Sequence, residues 1–246
     1  MSIEICTVCY NFQRRWTMQL ASLVQQIEPP DLLINIAYVK GNGNPDVETV
    51  VKFYEQKGLR FKLTPYDESL RKRGFIRNLQ VENSTEDWIY FNDCDLVYGP
   101  YYFNYVEKYL DPEFDGVRGF RPVAHTSVES ANSFLENFEM YVKSVYKVVS
   151  SFEIERISKR NVVHGGSQLV RRQQIFDCCN GYYVDPKSFK RDFSMGFNLT
   201  RSDKYFRKRF SKKKIINGAP LTFHVGHYRI QENGIPNPKF DINTQR

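Results

Sequence analysis

The sequence predicts an α/β protein: a doubly wound, mostly parallel sheet with helices on both faces, in a single domain. Three observations lead there. Strand and helix signals alternate through the first half in the order β-α-β-α-β-α-β, the pattern of a parallel sheet. One strand of that series ends in carboxylates, and doubly wound sheets place ligands at the carboxyl ends of their strands. The length of 246 residues suits one large domain.

Each element has its own signal. Residues 3–9 form a short apolar run, fit for a buried parallel strand. Trp16, Leu20, Leu23, Val24 and Ile27 share one face of a helix that Pro29 and Pro30 end. Residues 33–39 give the second strand, and residues 40–44 a Gly/Asn loop. Pro45 then opens a helix carrying Val47, Val50, Val51 and Tyr54. Residues 59–63 read as a third strand, 68–81 as a third helix and 88–91 as a fourth strand. The second half is less regular. Helices are expected over 101–110, over 128–159 (Phe134, Phe138, Tyr141, Val145 and Val148 at helical spacing) and over 171–179, stopped by Asn180 and Gly181. A basic helix from Arg201 and a strand over 221–228 follow. The expected divisions are residues 1–98, a first half ending in the acidic motif, 99–230, the second half of the same domain, and 231–246, a tail without periodicity.

Composition narrows the class. Aromatic residues make up 15% of the chain, which excludes a largely disordered protein. No stretch approaches the ~20 apolar residues that cross a bilayer, and the N-terminus lacks the basic and apolar regions of a signal peptide. The expected location is cytoplasmic. Five cysteines, an odd count, argue against a disulfide framework and read as buried thiols. The charge is concentrated: eight of the 35 Lys and Arg and one of the 28 Asp and Glu lie in residues 201–214, so this segment carries the whole net charge of +7.

The stretch Asp87-Trp88-Ile89-Tyr90-Phe91-Asn92-Asp93-Cys94-Asp95 carries the chemistry. An apolar strand presents Asp93 and Asp95 at its carboxyl end, where they can converge on Mg²⁺ or Mn²⁺ or simply form a polar turn. Arg73 and Arg77, four apart on the preceding helix, suit a diphosphate by bidentate hydrogen bonding or make a solvated basic face.

The run RGFIRNLQVENSTEDWIYFNDCDL resembles the DxD region of GT-A glycosyltransferases, whose Rossmann-like fold binds nucleotide sugars. TVCYN resembles their first strand and base-holding turn, HGGSQLVRRQQIFDCCNGYY their Gly-Gly acceptor-side segment, and RSDKYFRKR their EDxDxxxR helix start. FHVGHYR resembles the C-terminal His segment of galactosyl- and N-acetylgalactosaminyltransferases. The resemblance spans about residues 3–229 and departs at three points. The loop after the second strand lacks the Asp pair, Ser202 replaces the Glu of the Glu-Asp pair, and no Trp-Gly-Gly precedes it.

The resemblance implies a metal-dependent transferase using a nucleotide-sugar donor, a UDP-sugar first. It implies Mn²⁺ or Mg²⁺ on Asp93, Asp95 and His227, and donor contacts from Thr7, Tyr10, Asn11, Asp67, Arg73, Arg77, Asp93, Gly165 and Gly166. Asp203 is implied as the base that activates the acceptor hydroxyl, which means inversion; with Asp203 in solvent, retention is the alternative. His224 faces away from His227 in a regular strand and reads as structural. His164 approaches the donor or sits in the core, and His125 gives no signal. Arg207, Lys208, Lys212, Lys213 and Lys214 are expected to border the acceptor. That acceptor is a saccharide or glycoconjugate, met in the cytoplasm or at a membrane surface, or else a hydroxymethylated DNA base, as for phage-encoded enzymes acting in the host cytoplasm. Two other functions compete. A sugar-phosphate nucleotidyltransferase normally has a Gly-rich loop after the first strand, and residues 10–14 contain no glycine. A non-catalytic nucleic-acid-binding protein accounts for the basic segment alone. Oligomeric state leaves no mark in the sequence.

Overall fold

The computed structural model describes residues 1–41, 45–70, 73–136, 142–158, 166–179 and 202–227. The first half runs β1 (Ser2–Cys9), α1 (Gln13–Val24), β2 (Asp31–Tyr38), α2 (Val47–Glu55), β3 (Arg60–Pro65), α3 (Arg73–Asn83), β4 (Trp88–Asp93) and β5 (Leu96–Tyr98). There follow α4 (Tyr102–Glu107), β6 (Gly116–Phe120), β7 (Val123–Thr126), α5 (Val128–Glu136), α6 (Val145–Ser150) and β8 (Ile154–Ser158). The chain continues through β9 (Ser167–Arg171), α7 (Arg172–Cys179), α8 (Ser202–Arg209), β10 (Lys212–Ile216) and β11 (Thr222–His224).

A seven-stranded sheet has the order β10-β6-β9-β4-β1-β2-β3. All its strands are parallel except β9, which pairs antiparallel with both β4 and β6. The predicted fold class is therefore the observed one. Alternation along each strand assigns residues to two faces. Ile3, Ile5 and Tyr90 pack with Trp16 and Leu20 of α1 and Val50 of α2. Cys6, Ile89 and Phe91 face the other way, against Val81 of α3, Ile175 of α7 and Phe206 and Phe210 of α8. Strand order reverses at β1, which lies between β2 and β4, so a ligand crevice opens at the carboxyl ends of β1 and β4. A smaller sheet, β5-β11-β7-β8, stands over that end.

The local signals hold where they are strong. Asp46 caps α2, accepting a hydrogen bond from the Thr49 amide at 2.8 Å. Cys6, Cys9 and Cys94 are buried free thiols. Among the described residues no helix is long and apolar enough to cross a membrane.

Three expectations are corrected. Residues 128–159 are not one helix: α5 and α6 are separate, and residues 154–158 form β8. At the end of α6 the Ser150 and Ser151 hydroxyls donate to the carbonyls of Lys147 and Val148, 2.8 and 2.6 Å away, and the chain then pairs with β7. The basic helix stops at Arg209, and Lys212–Ile216 instead forms the edge strand β10 beside β6. Exposed lysines on a sheet edge guard it against further pairing. Of the last expected strand, 221–228, residue 228 lies outside the described residues, and up to 227 only the three residues of β11 pair in a sheet.

Candidate functional site

The site is built where β4 gives way to β5. Asp93 ends β4, and Asp95 lies in the turn, 5% exposed. β11 pairs antiparallel with β5, setting His224 opposite Leu96, and the Val225 amide donates to the Asp95 carbonyl at 2.8 Å. The next amide, of Gly226, donates to Thr126 Oγ1 at 2.9 Å. A Cβ on Gly226 would lie 2.5 Å from the Thr126 carbonyl oxygen and 2.7 Å from the Ser127 backbone, so only glycine lets the chain pass here. This segment brings two imidazoles onto one carboxylate oxygen: Asp95 Oδ2 is 3.3 Å from His224 Nε2 and 3.0 Å from His227 Nε2. Regular strand alternation would have set the two histidines on opposite sides; β11 ends at His224, and the irregular backbone after it brings His227 to the same oxygen. Phe12 meets the His227 ring edge-on at 4.8 Å.

Burial alone would push the Asp95 carboxyl up. The His224 charge, with the hydrogen bond and charge of His227, outweighs burial and holds it well below the usual carboxylate range. Its other oxygen, Oδ1, is buried without a hydrogen-bond partner. A carboxylate oxygen left so, beside two imidazoles, is the donor set of a divalent cation site. The three ligand atoms lie within 4.8 Å of one another. Two donors each ~2.1 Å from a shared ion, at a right angle, sit about 3 Å apart, which the two Asp95–histidine spacings match. The residues present therefore suit a metal.

Asp93 stands apart from this cluster. Its carboxylate is 3.8 Å from Arg77 Nη2, and a Cβ on Gly166 would come within 2.5 Å of its Oδ2. Arg77 is 1% exposed, with its guanidinium 5.1 Å from the centre of the Phe91 ring. A cavity of about 20 Å³, room for roughly one water, joins Asp93 and Gly166 to Arg121, His125, Ser167 and His224. A larger one, about 420 Å³, lies between the start of α1 (residues 11–15) and Asn132, Leu135 and Glu136 of α5.

The other expected site residues divide. Thr7 is fully buried, its hydroxyl donating to Asn92 Oδ1, so the structure does not bring it to the crevice surface. Tyr10 and Asn11 are at the carboxyl end of β1; Tyr10 donates to Glu68 Oε1 at 2.7 Å, and Asn11 holds a φ of 57°. Asp67 is exposed beyond β3, and the Ser69 side chain and amide hold its pKa below the usual value. The side chains of Arg73 and Asp203, and all of His164 and Gly165, lie outside the described residues, as do the turn at 180–182 and the tail from 228. The backbone of Asp203 opens α8. Phe206, one turn on, meets Phe91 of β4 at 5.7 Å, so α8 packs against β4. Burial lowers the Arg121 pKa; Tyr102 and Tyr90 oppose this, and the Arg207 charge adds to it. Lys208 is exposed on α8. Lys212, Lys213 and Lys214 are not gathered in. Lys214 is level with Arg118, Leu169 and Tyr90, three strands away from β4 and short of its carboxyl end.

Sequence reasoning missed His224, Arg15 and Arg121. Only His224 had a signal, the His-Val-Gly-His spacing, in which a glycine next to the second histidine marks a possible break. Arg15 donates to the Gly226 carbonyl and to Asn132.

No protein-family model and no curated protein matches the sequence. Solved structures do. S. aureus TarS 1–349 in complex with UDP-GlcNAc superposes with a TM-score of 0.63 at 11% identity, covering 96% of this chain and 62% of that one. The mannosyltransferase PcManGT from Pyrobaculum calidifontis, in complex with GDP-Man and Mn²⁺, gives 0.55 at 12% identity, over 92% of this chain and 57% of that one. A protein described as a glucose-1-phosphate thymidylyltransferase from Bacillus anthracis gives 0.52 at 12% identity, over 90% and 89%. The chain thus spans about six-tenths of the TarS structure. At such identities the likeness establishes the fold alone, a Rossmann-like, mostly parallel sheet shared with these neighbours.

Proposed function

We propose that this chain is a metal-dependent glycosyltransferase, moving a sugar from a nucleotide diphosphate sugar to an acceptor hydroxyl with inversion. The observation that carries the reading is the meeting of Asp95 with His224 and His227 at the ligand end of this fold. Neighbours of the same fold support it, since one is in complex with UDP-GlcNAc and another with GDP-Man and Mn²⁺. Asp95, His224 and His227 would hold Mn²⁺ or Mg²⁺, the two imidazoles suiting the former. Such an ion supplies Lewis-acid stabilisation of the charge that develops on the departing diphosphate.

The chain's own residues do the rest. Asp93, with Arg77 behind it and Gly166 in front, faces the donor across the small cavity. Tyr10, Asn11 and Asp67 border the nucleoside, a uridine by preference. Asp203, at the start of α8, takes the acceptor proton from the opposite face of the sugar. Arg207 and Lys208 border an acceptor that is a saccharide or glycoconjugate first and a hydroxymethylated DNA base second, reached in the cytoplasm. Nucleotidyl transfer is the second reading, favoured by the likeness to the thymidylyltransferase over 89% of its chain; the glycine-free loop after β1 weighs against it.

The test is a hydrolysis screen of UDP-, GDP- and TDP-sugars with Mn²⁺ or with EDTA. Donor hydrolysis is expected with metal only, and Asp95→Ala abolishes it. Full activity of that variant overturns the assignment. Asp203→Asn is expected to bind donor normally and transfer poorly; equal loss of donor binding moves Asp203 into the donor site. Release of pyrophosphate from a nucleoside triphosphate, with no sugar transfer, favours the nucleotidyltransferase.

A further inference from the structure

We infer that Arg15, together with Asn132, is a positioning residue for the metal site, holding the segment after β11 so that both imidazoles reach Asp95. The inference rests on the reading of Asp95, His224 and His227 as metal ligands.

Val225 anchors the segment between the two histidines by burying its side chain in the core. Gly226 has no side chain, so the segment between the two histidines can be fixed there only through its backbone. Thr126 Oγ1 accepts its amide, 2.9 Å away. The Gly226 carbonyl, which leads directly into His227, accepts two hydrogen bonds from one guanidinium: Arg15 Nε at 3.2 Å and Nη2 at 3.0 Å. The same Nη2 donates to Asn132 Oδ1 at 2.8 Å, which anchors the guanidinium to α5. Arg15 also lies 5.8 Å from the centre of the Phe12 ring, and Phe12 is the side chain that meets His227 edge-on. The first turn of α1 thus holds the His227 backbone and buttresses its ring. A planar fork is needed to grip one carbonyl and one amide oxygen together, which a lysine ammonium on a flexible stem does poorly.

Charge gives the two possible roles of Arg15 opposite signs. Burial lowers the Arg15 pKa and the Asp95 carboxylate opposes this, so the two groups feel each other. A second positive charge near a cation site disfavours the cation by Coulomb repulsion. Removing Arg15 should therefore tighten cation binding if it acts only through space. A positioning role has the opposite sign.

The experiment is a titration of Mn²⁺ into the EDTA-treated full chain, followed by the electron paramagnetic resonance signal of free Mn²⁺. Wild type, Arg15→Gln, Arg15→Lys and Asn132→Ala are compared, with circular dichroism confirming the fold. Groups that orient metal ligands typically contribute 10–100-fold to affinity, and Arg15→Gln and Arg15→Lys are expected to weaken Mn²⁺ binding by about tenfold. Asn132→Ala weakens it less and adds little on top of Arg15→Lys, because the two residues act as one unit. The Co²⁺ absorption spectrum of Arg15→Lys shifts as the ligand geometry relaxes. Unchanged or tighter binding in folded Arg15→Lys and Asn132→Ala overturns the inference. Failure of wild type to bind Mn²⁺ overturns the metal reading itself, and this inference with it.

Discussion

At the carboxyl end of β4, residues far apart in the sequence are drawn onto one carboxylate oxygen; in residues 201–214, neighbours in the sequence are drawn apart. His224 and His227 reach Asp95 because β11 pairs with β5 and ends at His224, and the chain then passes close to Thr126 at Gly226. The basic segment is split between a helix that buries Phe206 and a sheet edge that exposes Lys212, Lys213 and Lys214. Strand order and strand breaks, rather than local density of charge, decide which residues share a site. The first region is specified by contacts at each atom. The second is specified by its apolar residues, and its Lys208, Arg209 and Lys212 to Lys214 are exposed.

That contrast can be attacked directly. The largest effect is expected from Asp95→Ala: metal-dependent donor hydrolysis falls to background, since the shared oxygen is gone. Next comes Phe206→Ala in denaturant unfolding. Phe206 is fully buried, 5.7 Å from Phe91 and 5.0 Å from Phe210, and truncating such a Phe costs about 3–5 kcal/mol. A small cost would mean that the basic segment is not held by its apolar side. Gly226→Ala is expected to preserve the fold but weaken Mn²⁺ by about tenfold, as His227 is displaced from its partner; wild-type affinity would mean the close approach to Thr126 sets nothing. The smallest effect is expected from the triple reversal Lys212→Glu, Lys213→Glu, Lys214→Glu. Each exposed site changes stability by no more than about 0.5 kcal/mol, and donor hydrolysis is unchanged. A large loss of donor hydrolysis would join the two regions that the fold keeps separate.

Much of the fold was legible because its signals are local. The alternation of apolar strands and helices in residues 1–98 specifies β1 to β4 and the helices between them, and β1 and β4 are buried on both faces as their largely apolar runs imply, although β1 also buries Glu4 and Thr7. The second half was harder because long-range pairing overrides local spacing. Phe134, Val145 and Val148 keep helical spacing, yet residues 154–158 leave the helix to pair with β7. Asp95 and His227 were legible through the resemblance. His224 was not, because alternation assumes that a strand continues, and this one ends at His224 itself. Asp93 was placed with the ligands by its spacing from Asp95, but the turn at Cys94 leaves it on the side of Arg77 and Gly166. Arg15 could not be read at all: on a helix it is one more arginine, and its role exists only once Gly226 and Asn132 are beside it.

The central claim is that Asp95, His224 and His227 form one cation site that serves sugar transfer. Its most direct test is a one-site Mn²⁺ titration of the EDTA-treated chain with a UDP-sugar present, for wild type and for Asp95→Asn, which keeps the shape and removes the charge. One ion per chain in wild type, and no saturable binding in the variant, is the predicted result. Equal Mn²⁺ binding by both would contradict the account.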